Sequence, residues 1–209
     1  MRIPSVCQRE RVTRVGTVRA RQRDRTRRAL LDEARRLFAE RGYAAVGLAD
    51  VVAAAGVTKG ALYHHFDGKA DLFRAVLAEV QEEVGDRVAA SAEAEADPWD
   101  RLTAGCAAFL DVTAAPGVQR IMLLDGPAVL GWHTWRTMDE AASARHLHEA
   151  LADLVARGVL ADQPVAPLAR LLSGAMNEAA LWLADSADPG DLGDTQRALE
   201  RLLASLRHS

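Results

Sequence analysis

Apolar residues in this chain recur three and four positions apart and almost nowhere alternate with polar ones. The first spacing lines one face of an α-helix and the second one face of a strand, so the pattern predicts an all-α fold. Abundant alanine and an aromatic content of only 5% agree with it. The 209 residues, 49% of them hydrophobic, suffice for one sizeable core and a small satellite domain. No apolar run approaches the roughly 18–20 residues of a membrane helix, and the arginine-rich start lacks the apolar stretch of a signal peptide. A cytoplasmic protein with no membrane partner is therefore expected. Cys7 and Cys106 lie far apart, and neither has a second Cys or a His at ligand spacing. No disulfide framework and no metal site are expected.

Glycine divides the first third of the chain into short helical pieces. A first helix is predicted from about Arg23 to Arg41, with Leu30, Ala34, Leu37 and Phe38 on one stripe and Gly42 ending it. On the opposite face Asp24, Arg28, Asp32, Arg36 and Glu40 follow four apart with alternating sign. Arg28 and Arg36 are thus expected in helix-surface pairs of roughly a few tenths of a kcal/mol each. Arg23 and Arg27 instead continue the inner stripe, where this helix end meets whatever the domain sits on. Leu48 to Ala55 supplies a second helix with Val51, Val52 and Ala55 inward; Gly56 makes a tight turn, and Thr58 is a natural N-cap for a third helix through His65. In that third helix Leu62 and Phe66 are one turn apart and anchor it. Gly60, Ala61 and His64 then face outward, flanked by Lys59 and Tyr63. Two short helices joined at glycine fit a helix-turn-helix. Its small outward residues allow close approach to a phosphate or base edge, Tyr63 and the histidines offer hydrogen-bond donors, and Lys59 and Lys69 offer charge.

Lys59 and Lys69 are the only lysines among 26 basic residues. The net charge of -3 conceals an asymmetry: residues 1–30 carry ten Arg against Glu10 and Asp24, a balance of +8, which leaves -11 for residues 31–209. Only the front end suits a polyanion. Residues 1–22 read in one of two ways: as a disordered tail, even a leader from an unused upstream start, or as a basic arm lying on phosphates or in a minor groove.

The run Ala55-Gly-Val-Thr-Lys-Gly-Ala-Leu-Tyr-His-His-Phe66, continued by Lys69 and Leu72, resembles the DNA-binding signature of TetR-type transcriptional regulators. About residues 23–72 share the pattern, including Leu37-Phe38 and Gly42-Tyr43. The resemblance implies a helix-turn-helix domain over residues 23–70, followed over residues 71–209 by a helical effector-binding and dimerisation domain. It implies that Lys59, Gly60, Ala61, Tyr63, His64 and His65 lie in or beside a major groove, and that Tyr63 and Lys69 reach phosphates; packing against the first helix is the other reading of Tyr63 and His65. Where the family opens the second helix with Thr or Ser and polar or basic residues, this chain reads Val46-Gly47-Leu48-Ala49. Gly47 can cap the helix, at a cost of about a few tenths of a kcal/mol against Ser, but it offers no side chain to a phosphate. The anchoring is expected to shift to Arg23, Arg25, Arg27 and the arm.

A long helix is expected from Lys69, with Leu72, Phe73, Val76, Leu77, Val80 and Val84 at helical spacing, Asp71 in its first turn, and fraying over residues 85–97. Beyond Pro98 helices are predicted at about 98–113, 117–124, 131–157, 164–186 and 191–207, with breaks at Ala115-Pro116-Gly117, Asp125-Gly126-Pro127, Gly158 and Asp188-Pro189-Gly190. This body holds all four tryptophans. Phe109, Met122, Leu123, Trp132, Trp135 and Met138 are candidates to line a cavity for a small hydrophobic effector, or else are simply core. Asn177 reads as a ligand contact, a cross-dimer pair or a structural amide. Leu168, Leu171, Leu172, Ala175, Met176 and Ala179 form a stripe with Gly174 allowing close approach, and Leu199, Leu202, Leu203 and Leu206 form another. Two such helices from each of two chains would build a four-helix dimer interface and bring two reading helices about 34–36 Å apart on a palindromic operator. The alternative spends both stripes inside one chain.

His133, His146, His148 and Glu149 are the residues that suggest enzyme chemistry. His146 and His148, two apart, face opposite sides of a helix, whereas metal pairs come three or four apart. No nucleophile motif, phosphate loop or dinucleotide pattern is present. No catalytic residue and no cofactor are expected. The function expected is a ligand-responsive repressor, homodimeric on double-stranded operator DNA; an activator, or a regulator without effector, is the alternative.

Overall fold

The computed structural model describes the backbone of residues 6–207 and the side chains of residues 20–207. Eleven α-helices and one π-helical segment follow one another: α1 Val6–Arg41, α2 Leu48–Ala54, α3 Lys59–Tyr63, α4 Lys69–Glu93, α5 Pro98–Thr113, α6 Pro116–Gln119, the π-helical segment Arg120–Asp125, α7 Gly126–Leu130, α8 Trp132–Ala141, α9 Ser143–Ala156, α10 Val165–Asp185 and α11 Asp191–Ala204. Among the described residues the one β-type pairing is an isolated bridge between Leu160 and Arg207.

The head is formed by α1 to α3 with the start of α4. Leu30, Leu31, Ala34, Leu37 and Phe38 of α1 are buried, and Phe38, Tyr43 and Phe73 pack edge-on or tilted, with ring centroids 5.1–5.7 Å apart. Helix α1 ends at Gly42, whose φ of 78° is the left-handed conformation that glycine adopts at lowest cost. Its start differs from the expected one at Arg23. The helix reaches back to Val6, because no proline interrupts residues 6–41 and arginine, alanine and glutamine favour helix. The side chains of residues 6–19, on which the arm reading depends, lie outside the described residues.

Helix α4 joins head to body through one continuous buried face, Leu72, Phe73, Val76, Leu77, Val80, Val84 and Val88. The expected fraying after residue 85 does not occur. Gly85 lies so close to the α8–α9 junction that an added Cβ would sit 3.5 Å from the Ser143 nitrogen, and Val88 packs against Gly105 of α5. Small residues there permit close helix packing and hold the last turns in place.

Two further expectations about the body are corrected. The helix predicted over residues 131–157 is broken at Ala142 (φ -112°, ψ -116°) into α8 and α9, although neither proline nor glycine marks the place. Buried Asp139 organises the break: its carboxylate accepts from Arg136 Nη1 at 2.9 Å and from the Ser143 hydroxyl at 3.3 Å. Burial raises the pKa of that carboxyl, with Arg136 and Ser143 opposing the rise. Conversely, Asp125-Gly126-Pro127 is not a loop but the passage from the π-helical segment into α7. Wide π turns free carbonyls, and Met122 O accepts from Trp135 Nε1 at 2.7 Å. Gly126 makes room for that indole, since a Cβ there would lie 2.8 Å from Trp135 Cδ1.

Candidate nucleic-acid interface

Helix α2 is capped from its own first turn. With glycine at the cap position, the Asp50 carboxylate accepts from Gly47 N–H at 2.8 Å, which is the half of a capping box that the third helical residue supplies; the half that a Ser or Thr hydroxyl would supply to the first-turn N–H groups is absent. Ala55 and Gly56 (φ 63°) turn the chain, and the Thr58 hydroxyl accepts from Ala61 N–H at 3.2 Å to start α3. Leu62 and Phe66 are buried at 0% and 4% exposure and fix the helix to α1 and α4. Lys59, Gly60, Tyr63 and His64 are thereby presented to solvent, with Ala61 half-buried at the edge; Tyr63 is 50% exposed. This exposed set is the one expected from the sequence.

His65 and Lys69 are placed differently. His65 is half-buried between Phe66 and the middle of α1, and Arg27 stacks over Phe66 at 5.6 Å. Burial lowers the His65 pKa, and the positive field of Arg23, His64 and Arg27 adds to that effect. The ammonium of Lys69 lies 4.0 Å from the centroid of Tyr43 and is half-buried. A cation at a helix N-terminus opposes the helix dipole, and the ring face offsets part of that cost. Arg23, Arg25 and Arg27 are exposed on the neighbouring middle turns of α1. Arg28 pairs with Asp32 at 4.0 Å, and Arg36 with Glu33 and Glu40 at 2.9 and 3.0 Å, as the charge ladder predicts. The sequence pattern did not reveal Arg28–Glu79 and Arg35–Glu83, at 3.4 and 2.6 Å, which tie α1 to α4 across about fifty residues of sequence.

One hydrogen bond joins the head to the middle of the body: Tyr43 N–H donates to Asp125 Oδ2 at 2.7 Å. Ala39 and Gly117 meet beside it, so closely that a Cβ on Gly117 would lie 3.0 Å from the Ala39 methyl. Asp125 carried no motif signal. Its role depends on the π-helical segment that aims it.

The candidate effector residues do not share one cavity. A half-open apolar cavity of about 50 Å³ lies among α4, α5, α9 and α10, lined by Val88, Leu102, Phe109, Leu147 and Met176 among others. Of the candidates only Phe109 lines it. Met122 and Trp135 are consumed by the core and by their mutual hydrogen bond. Trp132 is 66% exposed and packs on Trp135 at 4.9 Å. Met138 faces open clefts between α4 and α8, and Asn177 is half-buried on α10 outside the cavity lining. The three histidines of the enzyme reading are scattered: His133 borders a cleft of about 690 Å³ between head and body, His146 the half-open apolar cavity, and His148 a separate cleft beside α10. No group of three or more His, Cys, Asp or Glu able to hold a metal ion occurs among the described residues.

On α10 and α11 the apolar stripes divide. Leu172, Met176 and Ala180 point into the core with Leu203, whereas Leu171 (72% exposed), Gly174, Ala175, Trp182 and Leu202 face outward. Leu199 and Leu206 are half-buried within the chain. No single helix among the described residues is long and apolar enough to cross a membrane.

Comparison with known proteins matches both parts of the chain. Residues 30–76 match the family described as bacterial regulatory proteins, tetR family, and residues 99–206 match the tetracyclin repressor-like C-terminal domain. A solved TetR-family transcriptional regulator from Pectobacterium atrosepticum is 36% identical, covering 90% of this chain and 97% of its own, with a TM-score of 0.73. FadR of Bacillus subtilis, solved with stearoyl-CoA, shares the fold at 18% identity and a TM-score of 0.74, covering 86% of this chain and 98% of its own. Among curated proteins, the regulator TtgR of Pseudomonas putida is 43% identical over 81 residues, which is 39% of this chain and 37% of TtgR. FasR of Mycolicibacterium smegmatis, a transcriptional activator, is 37% identical over 89 residues, 43% of this chain and 41% of FasR. These curated alignments thus span about two-fifths of each relative.

Proposed function

Because the chain belongs to the TetR family of bacterial transcriptional regulators, we propose that it is a cytoplasmic repressor that binds a palindromic operator as a homodimer and leaves it when a small apolar effector enters the body. The observation that carries the DNA-binding half is α3 itself. A five-residue helix is too short to persist alone, yet this one is capped by Thr58, pinned by Leu62 and Phe66, and presents Lys59, Gly60, Tyr63 and His64 on an open face. Such a surface suits a major groove, with Arg23, Arg25 and Arg27 of α1 placed toward the backbone. His65 supports α3 from behind, and Lys69 reaches phosphate from its place on Tyr43.

The outward ridge of Leu171, Gly174, Ala175, Trp182 and Leu202 supports dimerisation through α10 and α11. An outward apolar ridge with small residues at its centre, interrupted only by Glu178, is what a two-fold helix pair buries. Leu199 and Leu206 back that ridge. The half-open apolar cavity supports an effector, and FadR and RolR, which share the fold at 18% identity, were solved with stearoyl-CoA and resorcinol. An effector that favours a spacing of heads unsuited to successive major grooves releases DNA if its affinities for the two spacings differ by a few kcal/mol.

Selection of bound fragments from a random DNA library tests the reading. An inverted repeat with half-site centres about one helical turn apart is expected; a single half-site, or no enrichment, refutes it. Activation is the second reading, favoured by the head's similarity to FasR. A promoter–reporter carrying the selected site separates the two by the sign of the response.

A further inference from the structure

The long helix α4 carries one buried polar side chain without a partner. Gln81 is 2% exposed, and its amide nitrogen is buried with no hydrogen-bond acceptor. Buried donors are almost always paired, so an orphan of this kind marks a place where an acceptor is missing. Its neighbours on the same helix face, Val80, Val84 and Leu77, are fully packed hydrophobics, and an apolar residue of equal size would serve packing better.

Gln81 borders an open cleft of about 360 Å³ between α4 and the α8–α9 junction, with its amide nitrogen buried beneath the cleft surface. Glu82 and Asp86 line one wall, and Arg145 and His146 the other. His146 also lines the half-open apolar cavity beside Leu102, Phe109 and Met176, so the first turns of α9 separate a polar cleft from an apolar chamber. That partition starts at Ala142, where the helix is already broken and held by the Asp139 carboxylate. Two carboxylates against one guanidinium give the cleft a negative balance, and Arg101, at the far rim of the chamber, already donates to the Glu95 carbonyl at 2.8 Å.

We propose that Gln81 is the polar recognition residue for the effector, and that the effector is an uncharged or cationic amphiphile: a carbonyl, amide or ether oxygen accepts from the Gln81 amide, and its apolar end enters the chamber past His146. Anionic head groups are disfavoured by Glu82 and Asp86. This inference rests on the effector-responsive reading above and narrows the class of molecule that reading requires.

Octanamide and octanoate, matched in length and differing in head charge, are the probes. Titration calorimetry on the full chain is expected to show octanamide binding at least tenfold tighter than octanoate, with a shift of the Gln81 side-chain amide resonance on adding octanamide. Gln81→Leu is expected to raise Tm of the free protein by roughly 2–4 °C and to weaken octanamide at least fivefold. Ala150→Leu, which fills the chamber, is expected to weaken octanamide while leaving the free Gln81 resonance in place. No saturable binding of octanamide, a preference for octanoate, or unchanged octanamide affinity in Gln81→Leu overturns the proposal. Operator release is measured separately by fluorescence anisotropy: octanamide binding with these signatures but without release refutes the repressor mechanism and leaves the recognition site standing.

Discussion

Replacing Asp125 with alanine is expected to loosen the seat of the DNA-reading head on the body. The substitution removes the acceptor of a 2.7 Å hydrogen bond from Tyr43 N–H. Hydrogen bonds to charged groups contribute about 1.5–3 kcal/mol, and because both partners are half-buried and water can replace the acceptor, the lower end applies. At about 1.5 kcal/mol, and roughly 2–4 °C per kcal/mol for a chain of this size, Tm should fall by about 3–6 °C. Asp125→Asn keeps an acceptor oxygen and loses only the charge, so roughly half the loss is expected. The same hydrogen bond orients the end of α1 that carries the head, so operator affinity should fall several-fold in Asp125→Ala and less in Asp125→Asn. Thermal unfolding and anisotropy on a labelled operator measure the two effects. A Tm within 1 °C of wild type in Asp125→Ala, or equal damage from both substitutions, would refute the reasoning.

Gly126→Ala drives a methyl to 2.8 Å from Trp135 Cδ1 and should cost about 1–3 kcal/mol by overpacking; Trp135→Phe should relieve part of that cost in the double variant, and strict additivity in urea unfolding would argue against the close approach. Leu171→Glu, on the exposed ridge, should leave monomer stability within about 0.5 kcal/mol of wild type yet shift sedimentation from dimer to monomer at micromolar concentration, and a persistent dimer would place the interface elsewhere. Deleting residues 1–22 removes six arginines and should weaken operator binding and flatten the slope of log K against log salt by up to about 0.9 for each phosphate that the arm neutralises; an unchanged slope rejects the arm. His65 has its pKa lowered from 6.5 in the folded chain, so the unfolded state takes up the proton first as pH falls below about 6.5, and stability declines from there through the folded value. In His65→Gln the urea midpoint should depend less on pH between 6.5 and 5, and parallel curves for both proteins would contradict the assignment.

Local chemistry made the head readable in advance. The glycines at 42 and 56 take positive φ, Thr58 caps α3, and Leu62 and Phe66 anchor it, because turn, cap and anchor are decided within a few residues of each other. The body was less legible for a matching reason. Its helix breaks depend on tertiary burial: the α8–α9 break is built on Asp139, a carboxylate that packing buries, and Gly126-Pro127 stays helical where Trp135 needs its space. Apolar residues chosen for an effector were mostly core, since periodicity tells which face is buried and not whether the burial is against protein or a void.

By itself the sequence determined the all-α class, the helix-turn-helix, its outward residues and the surface charge ladder, all set by spacing along one helix or across one turn. Tertiary structure alone decided that Lys69 sits on Tyr43, that Asp125 holds the head, that Leu171 and Leu172 face opposite ways, and that Gln81 is left without an acceptor. Each of those depends on what a second element brings to the same point in space. A one-dimensional pattern records how a side chain is directed from its own helix, and the partner that meets it there is fixed only when the helices pack.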